Sequence, residues 1–321
     1  MLRFAAARTL QMLVSVWVAV TLIFIAVTQL PGDPVRALFG FRPPPPELYN
    51  RIAHRFGLDR PLWEQYWMYL SNTLTGDLGY SFPLDGWGSA ATGPAVTDII
   101  ASAAPVSAIL VLGSLAVQIV VGVGVGALGA LRRRRALNAG IYGLGVLLVA
   151  TPVLVAAYVL RTTLGVRLRW FPLNGIYDGA VSYVLPIVAL SALSIGYLIL
   201  LTRAEVRETL AAPFLKAARG RGYTTARLLT VHALRPSLIP VVAFIAANIG
   251  QLFVGLIIVE GVFGLPGLGG AVFEAIRDRD RSLLIGLVTV FILVTLVLNT
   301  LADLLIAVLD PRVRAATGRP S

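Results

Sequence analysis

The 321-residue chain contains no cysteine, a single lysine (Lys216) and two histidines, His54 and His232. The lack of cysteine excludes disulfides, thiolate metal sites and cysteine nucleophiles. A phosphate-binding loop of the form G-x-x-x-x-G-K-[ST] needs a lysine followed by Ser or Thr. Lys216 is followed by Ala217, so the chain does not hydrolyse ATP by that device. The G-x-S-x-G and H-E-x-x-H patterns are missing as well. Charge is scarce too: 13% of residues are Asp, Glu, Lys or Arg, where a soluble domain carries roughly 25%.

Apolar residues fill the space left by charge, at 57% of the chain. They fall into six long runs, which makes the chain a polytopic, all-α membrane protein. The formal charge is +11, from 27 Lys+Arg against 16 Asp+Glu. No Lys or Arg falls inside the apolar runs. The basic residues therefore read as loop signals of membrane topology, not as a nucleic-acid patch.

The first run, Leu10 to Leu30, follows Arg3 and Arg8. A signal-peptide core is typically ~7–15 residues long and ends at a small-x-small cleavage site. This run is longer and ends in Gln29-Leu30-Pro31-Gly32-Asp33-Pro34, so it reads as a transmembrane helix with a cytoplasmic N-terminus. Residues 31–97 read as an extracytoplasmic segment. Within it Leu62, Trp63, Tyr66, Trp67 and Leu70 fall at helical spacing. That stretch is either a helix at the membrane interface or one packed inside a subdomain.

Further spans are expected at Val106–Leu131, Ala136–Leu160, Val184–Leu201, Leu238–Val259 and Leu283–Leu309. The second carries Gly122, Gly124, Gly126 and Gly129, small residues that let a neighbouring helix approach. Pro152 is expected to kink the third, and Pro186 lies within the fourth. Arg132 to Arg135 mark the loop after the second span as cytoplasmic. With six spans, both termini lie in the cytoplasm. His54 and His232 then fall on opposite sides of the membrane and cannot share a metal ion.

Few ionisable groups lie at membrane depth. Asp303 sits one helical turn from Asn299, and a carboxylate there costs at least ~2.5 kcal/mol on insertion scales. The pair is either a coupling or pathway element or a buried structural hydrogen-bond pair. Glu260 ends the fifth span, as an outer-mouth residue or a local cap. These groups are too few for the acidic or histidine relay of a proton-coupled carrier. The chain reads as a conduit without its own engine.

The cytoplasmic segment Arg203 to Pro236 is long enough for a short crosswise helix. Pro213 starts it, Phe214, Ala217 and Ala218 give it a small face, and Gly220 and Gly222 end it in a turn. Such a knob suits insertion into a partner's groove; the alternative is a basic loop that only sets topology.

At Lys216-Ala217-Ala218, with Gly222, the sequence resembles the coupling motif Glu-Ala-Ala-x-x-x-Gly of permease subunits of bacterial ATP-binding-cassette (ABC) importers. The first position departs from that motif, and the usual Ile-x-Leu-Pro is replaced by His232 to Pro240, similar to the variant in dipeptide/oligopeptide permeases. Leu30-Pro31-Gly32-Asp33-Pro34, Gly57 to Leu62, Gly76-Asp77-Leu78-Gly79, Pro266-Gly267-Leu268-Gly269 and Leu309-Asp310-Pro311-Arg312 resemble that family's signatures in its order.

The resemblance implies a type I ABC importer permease fold. It divides the chain into an N-terminus and first span (1–30), the extracytoplasmic segment (31–97), a permease core (98–309) containing the coupling loop (203–236), and a cytoplasmic tail (310–321). It implies a non-catalytic, multi-pass subunit of the bacterial inner membrane, embedded in lipid and without nucleic-acid partners. Its partners are a second homologous permease, two cytoplasmic ATPase chains and an extracytoplasmic substrate-binding protein. ATP and Mg²⁺ belong to the ATPase chains, and this chain carries no cofactor. The ATPase-coupling residues are Lys216, Ala217, Ala218, Gly220 and Gly222. The cargo implied is di- or oligopeptide, with nickel or glutathione as alternatives and an ATP-independent channel or carrier as the reading outside the family.

Overall fold

A computed structural model describes residues 2–29, 33–37, 44–81, 93–131, 135–213, 215, 220, 224, 234–278 and 280–309. Among them the chain is helical, apart from one isolated antiparallel bridge between Tyr80 and Ala95. The described elements are α1 (Leu2–Thr28), α2 (Pro34–Ala37), α3 (Pro46–Arg55) and α4 (Leu62–Thr75). Next, α5 starts as Val96–Val117, passes through a π-helical stretch, Gln118–Val123, and ends as Gly124–Leu131. They are followed by α6 (Arg135–Ala150), α7 (Val153–Leu160, continued as a π-helix over Arg161–Arg167) and α8 (Val184–Ala211). The last are α9 (Leu234–Ala247), α10 (Ile249–Phe263), α11 (Leu268–Arg277) and α12 (Arg281–Leu309).

Among the described residues four helices are long and apolar enough to cross a bilayer: α1, α5, α8 and α12. Two bent pairs pass the same test together, α6 with α7 and α9 with α10, giving six spans if each pair counts as one. The expected kink at Pro152 is much sharper than a kink: α6 and α7 meet at 104°. Pro152 sits in extended backbone (φ −58°, ψ 143°) and heads α7, so the helix stops and restarts. The fifth run was expected to be continuous, yet it bends by 51° at Asn248. The Asn248 side-chain amide donates to the Phe244 carbonyl at 2.8 Å, closing the end of α9.

Two other prolines differ in their effect. Pro186 is the third residue of α8, where its missing N–H has no helical acceptor in any case, so α8 is not kinked there. Pro105 lies inside α5, which begins at Val96, ten residues before the expected start.

The chain divides into two compact units. The first comprises residues 1–5, 108–265 and 298–321. Its centre is α8, whose apolar window is 61% buried by the chain itself, against 17% for α1 and 28% for α5 and α12. Glycines bring its neighbours in. A Cβ on Gly122 would lie 2.6 Å from the Leu198 Cβ, and one on Gly126 would lie 2.8 Å from the Ile199 carbonyl oxygen. Gly129 abuts Ile141 and Arg203, whereas Gly124 faces open space. Tight packing is thus the role of three of the four glycines in that run. The contacts Gly113–Ile187, Gly122–Leu198 and Gly126–Thr202 rise together in number, so α5 and α8 run parallel. The contacts of α8 with α6 (Gly145 with Leu200, Gly196 with Val149) run the opposite way, and Gly255 of α10 takes Leu190 of α8 at close range.

The second unit comprises residues 6–107 and 266–297. Here helices are joined by polar ties. Tyr66 and Tyr69 project from one side of α4 onto Phe24 of α1, with ring centroids 5.5 and 5.7 Å apart. The Tyr66 hydroxyl bonds Thr21 at 2.8 Å and the Tyr69 hydroxyl bonds Thr289 of α12 at 2.5 Å. Trp63, Trp67 and Leu74 are 65%, 60% and 81% exposed. The two sequence alternatives for α4 thus describe its two sides, one packed and one open. Asp280 caps α12: its carboxylate accepts from the Leu283 N–H at 2.9 Å and from the Ser81 hydroxyl at 2.5 Å.

Candidate coupling and pathway site

The segment expected to couple the chain to a motor is framed by α8 and α9. With 28 residues, α8 is about 42 Å long at 1.5 Å per residue. A bilayer core is about 30 Å thick, so the helix overhangs it. The charged residues Arg203, Glu205, Arg207 and Glu208 therefore stand on a rigid extension of the span, where the sequence suggested a loop. Ala212 ends α8 in extended backbone (φ −60°, ψ 144°). The cause is Pro213, which drives the preceding residue out of helical conformation. Pro213 and Leu215 are helical again, and Leu215 is 1% exposed.

Across the segment, the Thr209 hydroxyl meets the Ser237 hydroxyl at 3.0 Å. The two flanks are thus tied at their base. Arg203 is fixed as well: its Nε donates to Asn138 Oδ1 at 2.9 Å, and its guanidinium lies 5.2 Å over the Tyr142 ring. A cation over an aromatic face is attracted by the ring quadrupole.

Of the residues singled out for coupling, Lys216, Ala217, Ala218 and Gly222 lie outside the described residues. Gly220 is described: it is exposed and helical. Asp303 lies on α12, and its side chain is outside the described ones. Asn299 is on the same helix, with its Oδ1 buried and unpaired among the described residues. Glu260 is fully buried within the first unit, one turn before Gly264 closes α10 in left-handed backbone (φ +58°). Among the described residues, Gly220, Asn299 and Glu260 lie on separate segments of the chain and no catalytic constellation forms around them.

Sequence reading missed a polar seam along α8. Ser114 and Gln118 of α5, with Ser191 and Thr202 of α8, are each at most 3% exposed. The Ser114 hydroxyl donates to the Ile187 carbonyl at 3.3 Å. Gln118 Nε2 and Thr202 Oγ1 are buried and unpaired among the described residues. Gln118 opens the π-helical stretch, a distortion frequent at functional positions. The signal was available, because a glutamine in an otherwise apolar run is costly unless it faces protein.

The apolar spans make the chain a polytopic membrane protein, and within the first unit α8 buries its polar groups against the helices packed on it. The family described as "Binding-protein-dependent transport system inner membrane component" matches residues 118–315, and its N-terminal counterpart matches residues 1–110. The chain belongs to this family, as the membrane permease component of an ABC importer. It is similar to the oligopeptide transport system permease protein OppB of Haemophilus influenzae, at 32% identity over 98% of this chain and 100% of that one. The dipeptide transport system permease protein DppB of Lactococcus lactis is 30% identical over 98% of this chain and 100% of its own. The glutathione transport system permease protein GsiC of Escherichia coli is 29% identical over 98% of this chain and 99% of its own. Among solved structures, the inward-facing MetNI methionine ABC transporter covers 67% of this chain and 97% of its own, with a TM-score of 0.56 and 14% identity. That likeness supports the type I importer fold.

Proposed function

We propose that the chain forms half of a translocation pathway for di- or oligopeptides delivered by an extracytoplasmic binding protein. The observation that carries this reading is the full-length similarity to oligopeptide and dipeptide permeases at 30–32% identity. A second homologous permease completes the pathway. Two cytoplasmic ATPase chains bind ATP and Mg²⁺, since this chain has no phosphate loop. Both termini are cytoplasmic, and residues 31–97 face outward. The core is 98–309 and the tail 310–321.

In this reading ATP closure moves the coupling segment around Lys216, Ala217, Ala218, Gly220 and Gly222. Motion enters α8 and α9 together because Thr209 and Ser237 tie the flanks. The glycine contacts of α8 then transmit it to α5, α6 and α10 as rigid-body rocking between inward- and outward-facing states. Bound ligands bias the equilibrium by binding one state better. Asn299 with Asp303, and Glu260, are the intramembrane polar groups assigned to the moving interior.

Glutathione, a tripeptide, is the second reading, supported by the 29% identity to a glutathione permease over 98% of the chain. Uptake of labelled di-, tri- and oligopeptides and of glutathione, with and without this chain, separates the two. Gly222→Asp is expected to leave the protein in the membrane and abolish ATP-driven uptake. Normal uptake by that variant removes the coupling assignment.

A further inference from the structure

Arginine concentrates in the cytoplasmic loops of a membrane protein. Yet the short segment between α7 and α8, outside in the proposed orientation, carries Arg161, Arg167 and Arg169 against one acid, Asp178. Topology does not call for them there. Arg161 is spent on the loop itself: its Nε donates to the Leu173 carbonyl at 3.4 Å and its Nη2 to Asn174 Oδ1 at 2.8 Å. Arg167 and Arg169 are exposed, and among the described residues neither guanidinium has a hydrogen-bond or ion-pair partner.

Both arginines stand on a fixed frame. The Leu168 N–H bonds the Thr163 carbonyl at 3.0 Å and the Trp170 N–H bonds the Leu164 carbonyl at 2.9 Å, closing the π-helical end of α7. The turn passes through Arg169 in left-handed backbone (φ +54°), the one non-glycine residue with positive φ among the described residues. Helix ends usually give that position to glycine, so an arginine there keeps a guanidinium at the helix end at a cost in strain. Gly165 is buried where the loop folds back, and a Cβ on it would lie 2.7 Å from the Leu173 side chain. The Gly175 N–H then bonds the carbonyl of Phe263, the last residue of α10, at 3.2 Å, and a 3-10 turn over Gly179–Tyr183 leads into α8. The frame therefore lies where α7 and α10 end and α8 begins.

Apolar side chains alternate with the charges. Val166, Leu168 and Trp170 are 51%, 47% and 67% exposed on either side of Arg167 and Arg169. Tryptophan at the end of a span sits at headgroup depth, and a guanidinium fork matches phosphate oxygens. An acidic protein surface would answer the arginines alone. A phospholipid answers the arginines with its phosphate and the interleaved apolar groups with its acyl chains.

We propose that Arg167 and Arg169 clamp the phosphate of an anionic phospholipid in the outer leaflet, with Trp170 beside its glycerol and Val166 and Leu168 against its acyl chains. A lipid held there pins the loop between α7 and α8 to the bilayer. The inference rests on the proposed orientation, which puts this loop outside.

The test is native mass spectrometry of the full chain in detergent, titrated with phosphatidylglycerol and, separately, with phosphatidylcholine of the same acyl chains. Phosphatidylglycerol is expected to stay bound where phosphatidylcholine does not. Arg167→Gln and Arg169→Gly should each weaken that binding about tenfold, the loss of a charge-assisted contact. Arg169→Gly also removes the backbone strain, so without lipid its melting temperature should equal or exceed that of wild type, and its weaker lipid binding is then no folding defect. Trp170 localises the lipid: brominated phosphatidylglycerol should quench a larger fraction of the emission of wild type than of Trp170→Phe, and the excess should vanish in both arginine variants. Equal retention of the two lipids, phosphatidylglycerol binding indifferent to both arginine changes, or no excess quenching overturns the clamp. So does unchanged lipid binding with loss of ATP-driven peptide uptake in both variants, which would make the occupant an acidic protein surface. The orientation is checked separately. Tyr177 is 92% exposed, and in this cysteine-free chain Tyr177→Cys offers a single thiol. A membrane-impermeant maleimide is expected to label it in intact spheroplasts. Labelling only after lysis removes the outward placement and the outer-leaflet clamp with it, whereas lipid binding that ignores both arginines removes the clamp and leaves the orientation and the import reading standing.

Discussion

The two units differ in the means that dominates in holding helices together, although each uses some of the other: Gly286 abuts Val96 in the second, and Arg203 reaches Asn138 in the first. In the first, helices meet where side chains have been removed: Gly113, Gly122, Gly126, Gly145, Gly196 and Gly255 each bring a neighbour closer than a Cβ permits. In the second, helices meet where side chains reach across: Tyr66 to Thr21, Tyr69 to Thr289 and Ser81 to Asp280. The second unit also keeps cavities, while α8 in the first is sheathed on several sides. Backbone-close packing gives a stiff body suited to moving as one piece. Side-chain ties across voids give a body whose parts separate at lower cost.

The largest effect is expected where the first mode is broken. A Cβ on Gly196 would lie 2.8 Å from both the Gly145 carbonyl oxygen and the Val149 nitrogen. Backbone cannot move aside as a flexible side chain does, so Gly196→Leu should cost about 3 kcal/mol or more. The measurement is the fraction of monodisperse protein after heating in detergent. Gly124 is the internal control, since nothing lies within 4 Å of its added Cβ. Gly124→Ala should be neutral or stabilising by up to about 1 kcal/mol, the helix-propensity gain. Equal damage from both changes would mean that glycine serves flexibility here and not contact.

A smaller effect is expected where the second mode is broken. Thr289 is fully buried, so Tyr69→Phe leaves its hydroxyl without that partner. The cost is about 1–3 kcal/mol. Burial pushes the Tyr69 phenol pKa up, so this tie stays a neutral donor–acceptor pair across the working pH range. Hydrogen exchange should show the loss in α4 and the N-terminal half of α12, with α8 unchanged. Matching loss of protection in α8 would show that the two modes are not separate.

This contrast was only partly legible in the sequence. Long apolar runs gave α1, α5, α8 and α12, because hydropathy reports burial away from water whatever the partner. Glycines 122, 126 and 129 were legible as packing residues for the same reason that Gly124 was misleading: spacing does not say which side of a helix meets a neighbour. Pro152, Pro186 and Pro105 look alike in sequence, yet one breaks a span at 104°, one opens a helix and one is absorbed. A proline removes one hydrogen bond, and the angle that follows is set by packing from distant segments. The Asn248 bend had no proline to announce it. The sequence around Lys216 suggests a coupling motif, but it gives no sign of the tie between Thr209 and Ser237, which joins residues 28 positions apart. Of the polar seam, Gln118 was legible as a lone polar residue in an apolar run, but Thr202, just past the end of its run and next to Arg203, gave no such signal.

The smallest effect tests the second unit's polar ties at their most exposed point. His54 and Asp59 pair at 2.8 Å with side chains 75% and 44% exposed. The hydrogen bond from His54 holds the Asp59 carboxyl below its ordinary value. A carboxylate depressed in the folded state contributes stability above its unfolded pKa, about 3.9. That contribution is lost as pH falls through the folded value. Asp59→Asn should therefore lower the melting temperature at pH 7 by less than Tyr69→Phe does, because an exposed pair is screened by water and salt. The difference from wild type should begin to shrink as pH falls past the unfolded carboxyl value, about 3.9, and should close only once pH is below the lowered folded value. It should also shrink in high salt, unlike the cost of Gly196→Leu, which is steric and carries neither charge nor proton. A pH-independent difference would show that Asp59 acts through packing, and the second unit would then resemble the first more than its contacts suggest.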